Sequence, residues 1–242
     1  MYMNIFQIYH DKTLIPKYVE EHIKKLNPEY NYKFLDFKEG KEIIKQNFNI
    51  PLIKNKIINA IDNMPRYCHK SDLLRYCLLY IYGGVYIDVD LQPLVSFKEM
   101  IPEDVSFFSS IGGGPNPYIV NNNKIHCCSA NGILASKKNN NLLLDLIKFS
   151  IGNEKLFSKD PMLRGENVYY LFHYLRDECR KNNILFEPFK IMNIHKNNVY
   201  LLNTLPNDIP KFGINCIINK NQVVIWPSNP MYNFVRQSSS CI

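Results

Sequence analysis

Residues 83–90, Gly-Gly-Val-Tyr-Ile-Asp-Val-Asp, constrain this chain more than any other stretch: they break a helix, open an apolar strand and end it in two carboxylates. Upstream, from about Cys68 to Tyr82, the spacing predicts an amphipathic helix with Leu74, Cys77, Leu78 and Ile81 on its apolar side. A helix, a glycine break and a short strand make a building unit of α/β sheets. Side chains alternate along a strand, so Tyr86, Asp88 and Asp90 share one face while Val85, Ile87 and Val89 take the other, toward the core. Two like charges about 6–7 Å apart at their Cα atoms repel each other at the border of a low-dielectric core. A divalent cation removes that conflict, which makes Asp88 and Asp90 candidate metal ligands.

A bare D-x-D is more often a turn, here one leading into Gln92-Pro93. Context favours a site, because open α/β sheets bind ligands at the carboxyl ends of their strands. Asp72 and Arg75, spaced i and i+3, lie on one face of the preceding helix and can pair with each other. An exposed pair of that kind contributes only about 0.2–1 kcal/mol. One helix before the D-x-D, however, Arg75 can reach a phosphate that a metal on Asp88 and Asp90 also holds.

Elsewhere the pattern predicts a strand from about Met3 to Tyr9, a helix starting at Pro16 and reaching Leu26, and a strand from Tyr30 to Leu35. Residues 38–64 read as helix interrupted at Pro51, Val105 to Ser109 as a strand, and Leu142 to Ser150 and Leu163 to Lys181 as helices. In the last of these, Tyr170, His173 and Tyr174 share a side and read as packing residues. Val223 opens a short strand into Trp226-Pro227, with Trp226 either a packing anchor or the start of a polar lid. Gly112-Gly113-Gly114 is no phosphate loop, since no G-K-[ST] ending follows and Pro115 and Pro117 lack amide donors. With Asn121-Asn122-Asn123 it reads as a surface segment. His126, Cys127 and Cys128 have no second ligand group at zinc spacing and read as core strand residues, with Asn131 following that strand.

With 242 residues, 46% of them hydrophobic, the chain can bury one sizeable core, and residues 1–242 are read as a single domain. A net charge of +7 favours anionic partners, but the excess is diffuse and no basic, aromatic-interleaved module points to nucleic acid. Seven cysteines without a C-x-x-C pair suit a reducing compartment, and no apolar run is long enough to span a membrane. The expectation is a soluble, cytoplasmic protein. Its Ile, Lys and Asn usage points to an AT-rich genome; if that genome is viral, the compartment is the host cytoplasm.

From Ser71-Asp72-Leu73-Leu74-Arg75-Tyr76 through Tyr82 to Asp90 the chain resembles the family 32 glycosyltransferases, which have a DXD sugar-binding region; the clostridial glucosylating toxins are more distantly similar. Weaker similarity covers residues 5–9, 131–136 and 223–227. The resemblance implies a GT-A fold, a Rossmann-like nucleotide-sugar-binding sheet, with Mn²⁺ or Mg²⁺ bridging the diphosphate and with retention of anomeric configuration. It implies that Asp90 ligates the metal, Asp88 contacts the metal or the sugar and ribose, and Asp72 and Arg75 hold the donor sugar and its phosphate side. Tyr9 takes the place of a nucleobase platform, Gly84 and Tyr86 belong to the donor-binding motif, and Asn131 is placed for a sugar contact. The partners implied are a UDP- or GDP-sugar donor and a hydroxyl acceptor on a glycan or other molecule.

Two departures stand out: the family's His-rich, Ser-Trp ending is replaced by Arg236-Gln237-Ser238-Ser239-Ser240-Cys241-Ile242, and its Thr-Gly-Pro by Leu163-Arg164-Gly165-Glu166-Asn167. The altered ending motivates an alternative, a catalytically inactive nucleotide-sugar binder. A glycoside hydrolase fits the i, i+2 spacing of the carboxylates poorly. A basic interaction module would need neither Asp88 nor Asp90.

Overall fold

In the computed structural model, which describes residues 3–112, 128–152, 166–186, 190–194, 196–204, 217–219 and 222–227, alternating apolar residues build a sheet with a core on each face. The elements run β1 (Asn4–Ile8), α1 (Lys17–Leu26), β2 (Asn31–Leu35), α2 (Phe37–Asn47), α3 (Pro51–Asn63), α4 (Tyr67–Tyr82), β3 (Gly84–Ile87), β4 (Leu91–Pro93) and α5 (Phe97–Met100). They continue with β5 (Phe107–Gly112), β6 (Cys128–Ser136), α6 (Asn141–Gly152), α7 (Glu166–Lys181), β7 (Ile191–Ile194), β8 (Asn197–Thr204), β9 (Ile217–Asn219) and β10 (Gln222–Pro227). The strand order is β2-β1-β3-β6-β5-β8-β9-β10-β4, with β7 paired to β8. β1 is parallel to β2 and β3, and β5 to β8; the other pairings are antiparallel. This is the α/β class expected from the sequence, with a mixed sheet.

Adjacent residues of each central strand enter opposite layers. Phe6, Tyr86, Leu134 and Phe107 pack with residues of α2, α3, α4, α6 and α7. Ile5, Val85, Ile133 and Phe108 pack on the other face with Ile23 of α1 and with Phe97 and Met100 of α5. Local signals agree with these bounds. Pro16 stands at the N-cap of α1, Pro51 occupies the first turn of α3, and Asp36 and Glu39 form a capping box at α2.

Two expectations for the central unit change. Helix α4 has no solvated face beyond its first turn: Ser71, Asp72 and Arg75 are buried along with the leucines beside them. The reason is its place between the sheet and α2, α3 and α6, where a charge is tolerated only when paired. β3 ends at Ile87, and the Leu91 amide donates to the Asp88 carbonyl at 3.1 Å, so Asp88 and Asp90 stand on a turn rather than in the strand. Tyr86 and Asp88 still meet on one side, through the Tyr86 hydroxyl and Asp88 Oδ1, but strand alternation no longer places Asp90 with them. Tyr86 points into the core, not outward.

Asn131 lies inside β6 rather than after a strand, where the register between β5 and β6 slips between Phe108 and Ser110. Such an irregularity re-aims side chains. Residues 113–127, including Asn121 to Asn123, His126 and Cys127, lie outside the described residues, as do 163–165 and the ending from 228.

Gly83 and Gly84 join α4 to β3 with φ of +66° and +119°. A Cβ at Gly84 would stand 2.4 Å from the Asn4 carbonyl oxygen, against the backbone of β1. Gly84→Ala is therefore expected to cost about 3 kcal/mol or more, from the strained dihedral plus the clash. Gly152→Ala, where a Cβ meets nothing within 4 Å, should change stability by less than about 1 kcal/mol. Urea denaturation of both variants checks the contrast.

Candidate functional site

Because β1 and β3 are parallel and α4 leads back into β3, the carboxyl ends of both strands and the amino end of α4 meet at one sheet edge. β6 runs antiparallel to β3 and brings Asn131 and Gly132 to the same edge. The expected residues Asp72, Tyr86, Asp88 and Asn131 converge there on the guanidinium of Arg75.

Arg75, whose side chain is 5% exposed, lies 3.0 Å through Nη2 from Asp72 Oδ1 and 3.3 Å from Asp88 Oδ1. Its Nη1 donates to the Asn131 carbonyl at 2.6 Å, its Nε to the Ser71 carbonyl at 3.3 Å, and its Cζ lies 4.4 Å from the Tyr86 ring centroid. Asp72 Oδ1 also accepts from Asn131 Nδ2 at 2.9 Å, and the same amide reaches the Tyr76 hydroxyl at 3.2 Å. The Tyr86 hydroxyl donates to Asp88 Oδ1 at 2.5 Å. All three guanidinium nitrogens of Arg75 thus have protein partners.

Burial opposes the charge on Arg75, but Asp88, Tyr86 and Asp72 outweigh it and raise its pKa further. Burial also pushes the phenols of Tyr86 and Tyr76 up, and both remain protonated donors at neutral pH.

The backbone of the D-x-D turn is held separately. The Asp88 amide donates to the Gly132 carbonyl at 2.7 Å. Gly132 is a residue that sequence reasoning passed over: a Cβ there would stand 2.9 Å from Asp88 Oδ2 and 3.0 Å from Leu91 Cδ1. Its signal was its place beside Asn131. Val89 packs with Ile15 and Val19, anchoring the middle of the motif, while Asp88 and Asp90 stay half-buried at the edge.

Tyr9 follows β1, packs against this third cluster and lies 4.5 Å, centroid to centroid, from His10, which stacks on Tyr67 at 4.6 Å. Gly84 sits at the opposite end of β3 from the carboxylates, so its part is the strand entry. β10 pairs antiparallel with β4, setting Trp226 opposite Gln92 and Pro227 opposite Leu91, beside the D-x-D turn.

No group of three or more His, Cys, Asp or Glu side chains that could hold a metal occurs among the described residues. Two carboxylate ligands still fit a hard divalent ion of the Mg²⁺ or Mn²⁺ type, which accepts one or two protein carboxylates and completes its shell with phosphates and water. Asp72 and Asp88 face a single guanidinium and Asp90 stands half-buried on the same turn, so the excess negative charge suits that ion.

Removing Arg75 would leave Asp72 and Asp88 buried or half-buried without their cation. Arg75→Met is expected to cost about 3–5 kcal/mol, against less than about 0.5 kcal/mol for the exposed Lys56→Met; chemical denaturation measures both. His69, buried on the first turns of α4, has its pKa lowered by burial and then by the Arg66 guanidinium. The unfolded chain takes up that proton from about pH 6.5 downward, before the native state does. Stability should therefore fall as pH drops below that value, and His69→Gln should flatten the dependence in urea midpoints measured from pH 7.5 to 5.5.

Residues 15–107 match the family model described as the glycosyltransferase sugar-binding region containing the DXD motif. The initiation-specific alpha-1,6-mannosyltransferase of Schizosaccharomyces pombe is 32% identical over 78 residues, which cover 32% of this chain and 19% of that protein. The match thus spans about a fifth of the relative's length. Among solved structures, the PaToxG glycosyltransferase is similar with a TM-score of 0.49 and 18% identity, over 76% of this chain and 74% of that one. The catalytic domain of alpha-toxin from Clostridium novyi is similar with a TM-score of 0.36 and 12% identity, over 77% and 65% respectively. The segment 15–107, which supplies Asp72, Arg75, Asp88 and Asp90 to the site, is thus similar to glycosyltransferase sugar-binding regions containing the DXD motif.

Proposed function

We propose that this chain is a metal-dependent, retaining glycosyltransferase of GT-A type, formed by residues 1–242 as one domain. It moves a sugar from a UDP- or GDP-sugar to a hydroxyl of a glycan or other acceptor. The observation that carries this reading is the convergence of Asp72, Arg75, Asp88 and Asn131 beside the turn bearing Asp90, at the carboxyl edge of the sheet. Asp90, half-buried on the turn, and Asp88 would hold Mn²⁺ or Mg²⁺ together with the donor diphosphate. Such an ion supplies charge neutralisation to the departing diphosphate.

The chain's own residues set the sugar against that point. Asp72 and Asn131, tied to each other at 2.9 Å, offer a carboxylate and an amide to sugar hydroxyls. Arg75 acts by holding Asp72 and Asp88 in place, since its nitrogens are already committed to protein groups. Tyr86 keeps Asp88 Oδ1 turned inward. Tyr9, at the end of β1, offers an aromatic ring near the nucleobase end of the donor. As the bond between the anomeric carbon and the phosphate oxygen breaks, the acceptor oxygen bonds the same face of that carbon. Its proton passes to the departing diphosphate, so no protein nucleophile is required.

A nucleotide-sugar panel should show Mn²⁺-dependent binding of one donor class, with donor hydrolysis or transfer. Asp90→Asn and Asp88→Asn should each lower turnover at least about 100-fold, in the range of losing a main electrostatic stabiliser. Binding that ignores both substitutions and EDTA would refute the metal site. Metal-dependent binding without turnover across an acceptor panel would assign the chain to the inactive nucleotide-sugar binders instead.

A further inference from the structure

The D-x-D turn is gripped from the α4 face of the sheet by Arg75 and Tyr86, and a second set of contacts reaches it from the opposite face. Gln7 of β1 is fully buried between the apolar residues Phe6 and Ile8. By alternation its side chain shares the face of Ile5, which packs on the side of α1 and α5. There Nε2 of Gln7 donates to the Asp88 carbonyl at 3.4 Å, and Oε1 accepts from the Tyr32 hydroxyl at 2.7 Å. Tyr32 stands on β2 and packs against the same apolar cluster, with the Lys24 ammonium 5.4 Å from its ring centroid.

Only one amide orientation serves both neighbours. A carbonyl oxygen can only accept, so Nε2 must face Asp88 and Oε1 must turn to the phenol. A buried amide of this kind costs stability unless both of its ends are satisfied. The Asp88 carbonyl it meets is also the acceptor that closes the turn with the Leu91 amide. Tyr32 and Gln7 thus form a side-chain relay from β2 through β1 to the turn after β3, ending on the backbone that aims both carboxylates.

We infer that Gln7 and Tyr32 are positioning residues that fix the D-x-D turn in its metal-binding arrangement. This rests on the metal site proposed above. Partners that orient metal ligands change affinity by about 10–100-fold when removed. The test is Mn²⁺ titration of the whole chain, followed by electron paramagnetic resonance with saturating UDP in one series and GDP in another, well below each variant's melting temperature.

Gln7→Leu is expected to weaken Mn²⁺ binding about tenfold. Tyr32→Phe, which keeps the ring and removes only the hydroxyl, should weaken it about threefold, because it loosens the amide without removing it. Unchanged affinity in both variants overturns the inference, whether or not their melting temperatures fall, because packing alone would move only the latter. If Gln7→Leu fails to fold, Tyr32→Phe decides. A wild-type chain that binds no Mn²⁺ with either nucleotide refutes the metal site itself, an outcome distinct from variants that match a binding wild type.

Discussion

One buried guanidinium organises the site. Arg75 holds the carboxylates of Asp72 and Asp88, the backbone of β6 at Asn131 and the ring of Tyr86, so helix, strand and returning strand share a single cation. A buried ion cluster of this kind is a weak source of stability compared with well-packed apolar groups. Its demand is geometric, since every member must keep its place or a charge is stranded. That demand explains why α4, otherwise an apolar core helix, carries Ser71, Asp72 and Arg75 inside.

Arg75 also changes the electrostatic argument for a metal. Repulsion between Asp88 and Asp90 alone would call for an external cation, yet Asp88 already has an internal one at 3.3 Å and a phenol donor at 2.5 Å. The case for a divalent ion rests instead on the surplus of carboxylate at the edge and on Asp90, which stands half-buried on the turn. The Asp88 side chain is held by Arg75 and Tyr86, and Asp90 stands half-buried at the edge beside the inward-packed Val89.

Much of the frame was legible in the sequence because its signals are local. Glycines at positive φ, prolines at helix starts and period-two alternation act over a few residues, and β1, α1, β2, the helices either side of Pro51, α4 and β3 follow from them. Burial of the Asp72–Arg75 pair was not legible, because i, i+3 spacing is the same for a solvated pair and a buried one. Nor was the D-x-D turn, because alternation says nothing about where a strand stops pairing. Gly132 and Gln7, though inside the segments 131–136 and 5–9, received no role because each matters through contact with Asp88, 44 and 81 residues away in the chain.

The sequence by itself determined the α/β class, the helix–glycine–strand unit and the residue types of the site, since periodicity, glycine and clustered carboxylates are properties of neighbours along the chain. Only the tertiary structure decided what those carboxylates face. Parallel pairing of β1 with β3 and antiparallel pairing of β6 bring Gln7, Asp88 and Asn131 to one edge, and the packing of α4 there leaves Arg75 no solvent to turn to. A charge denied water must find its partners within the fold, and the partners it finds are the residues of the site.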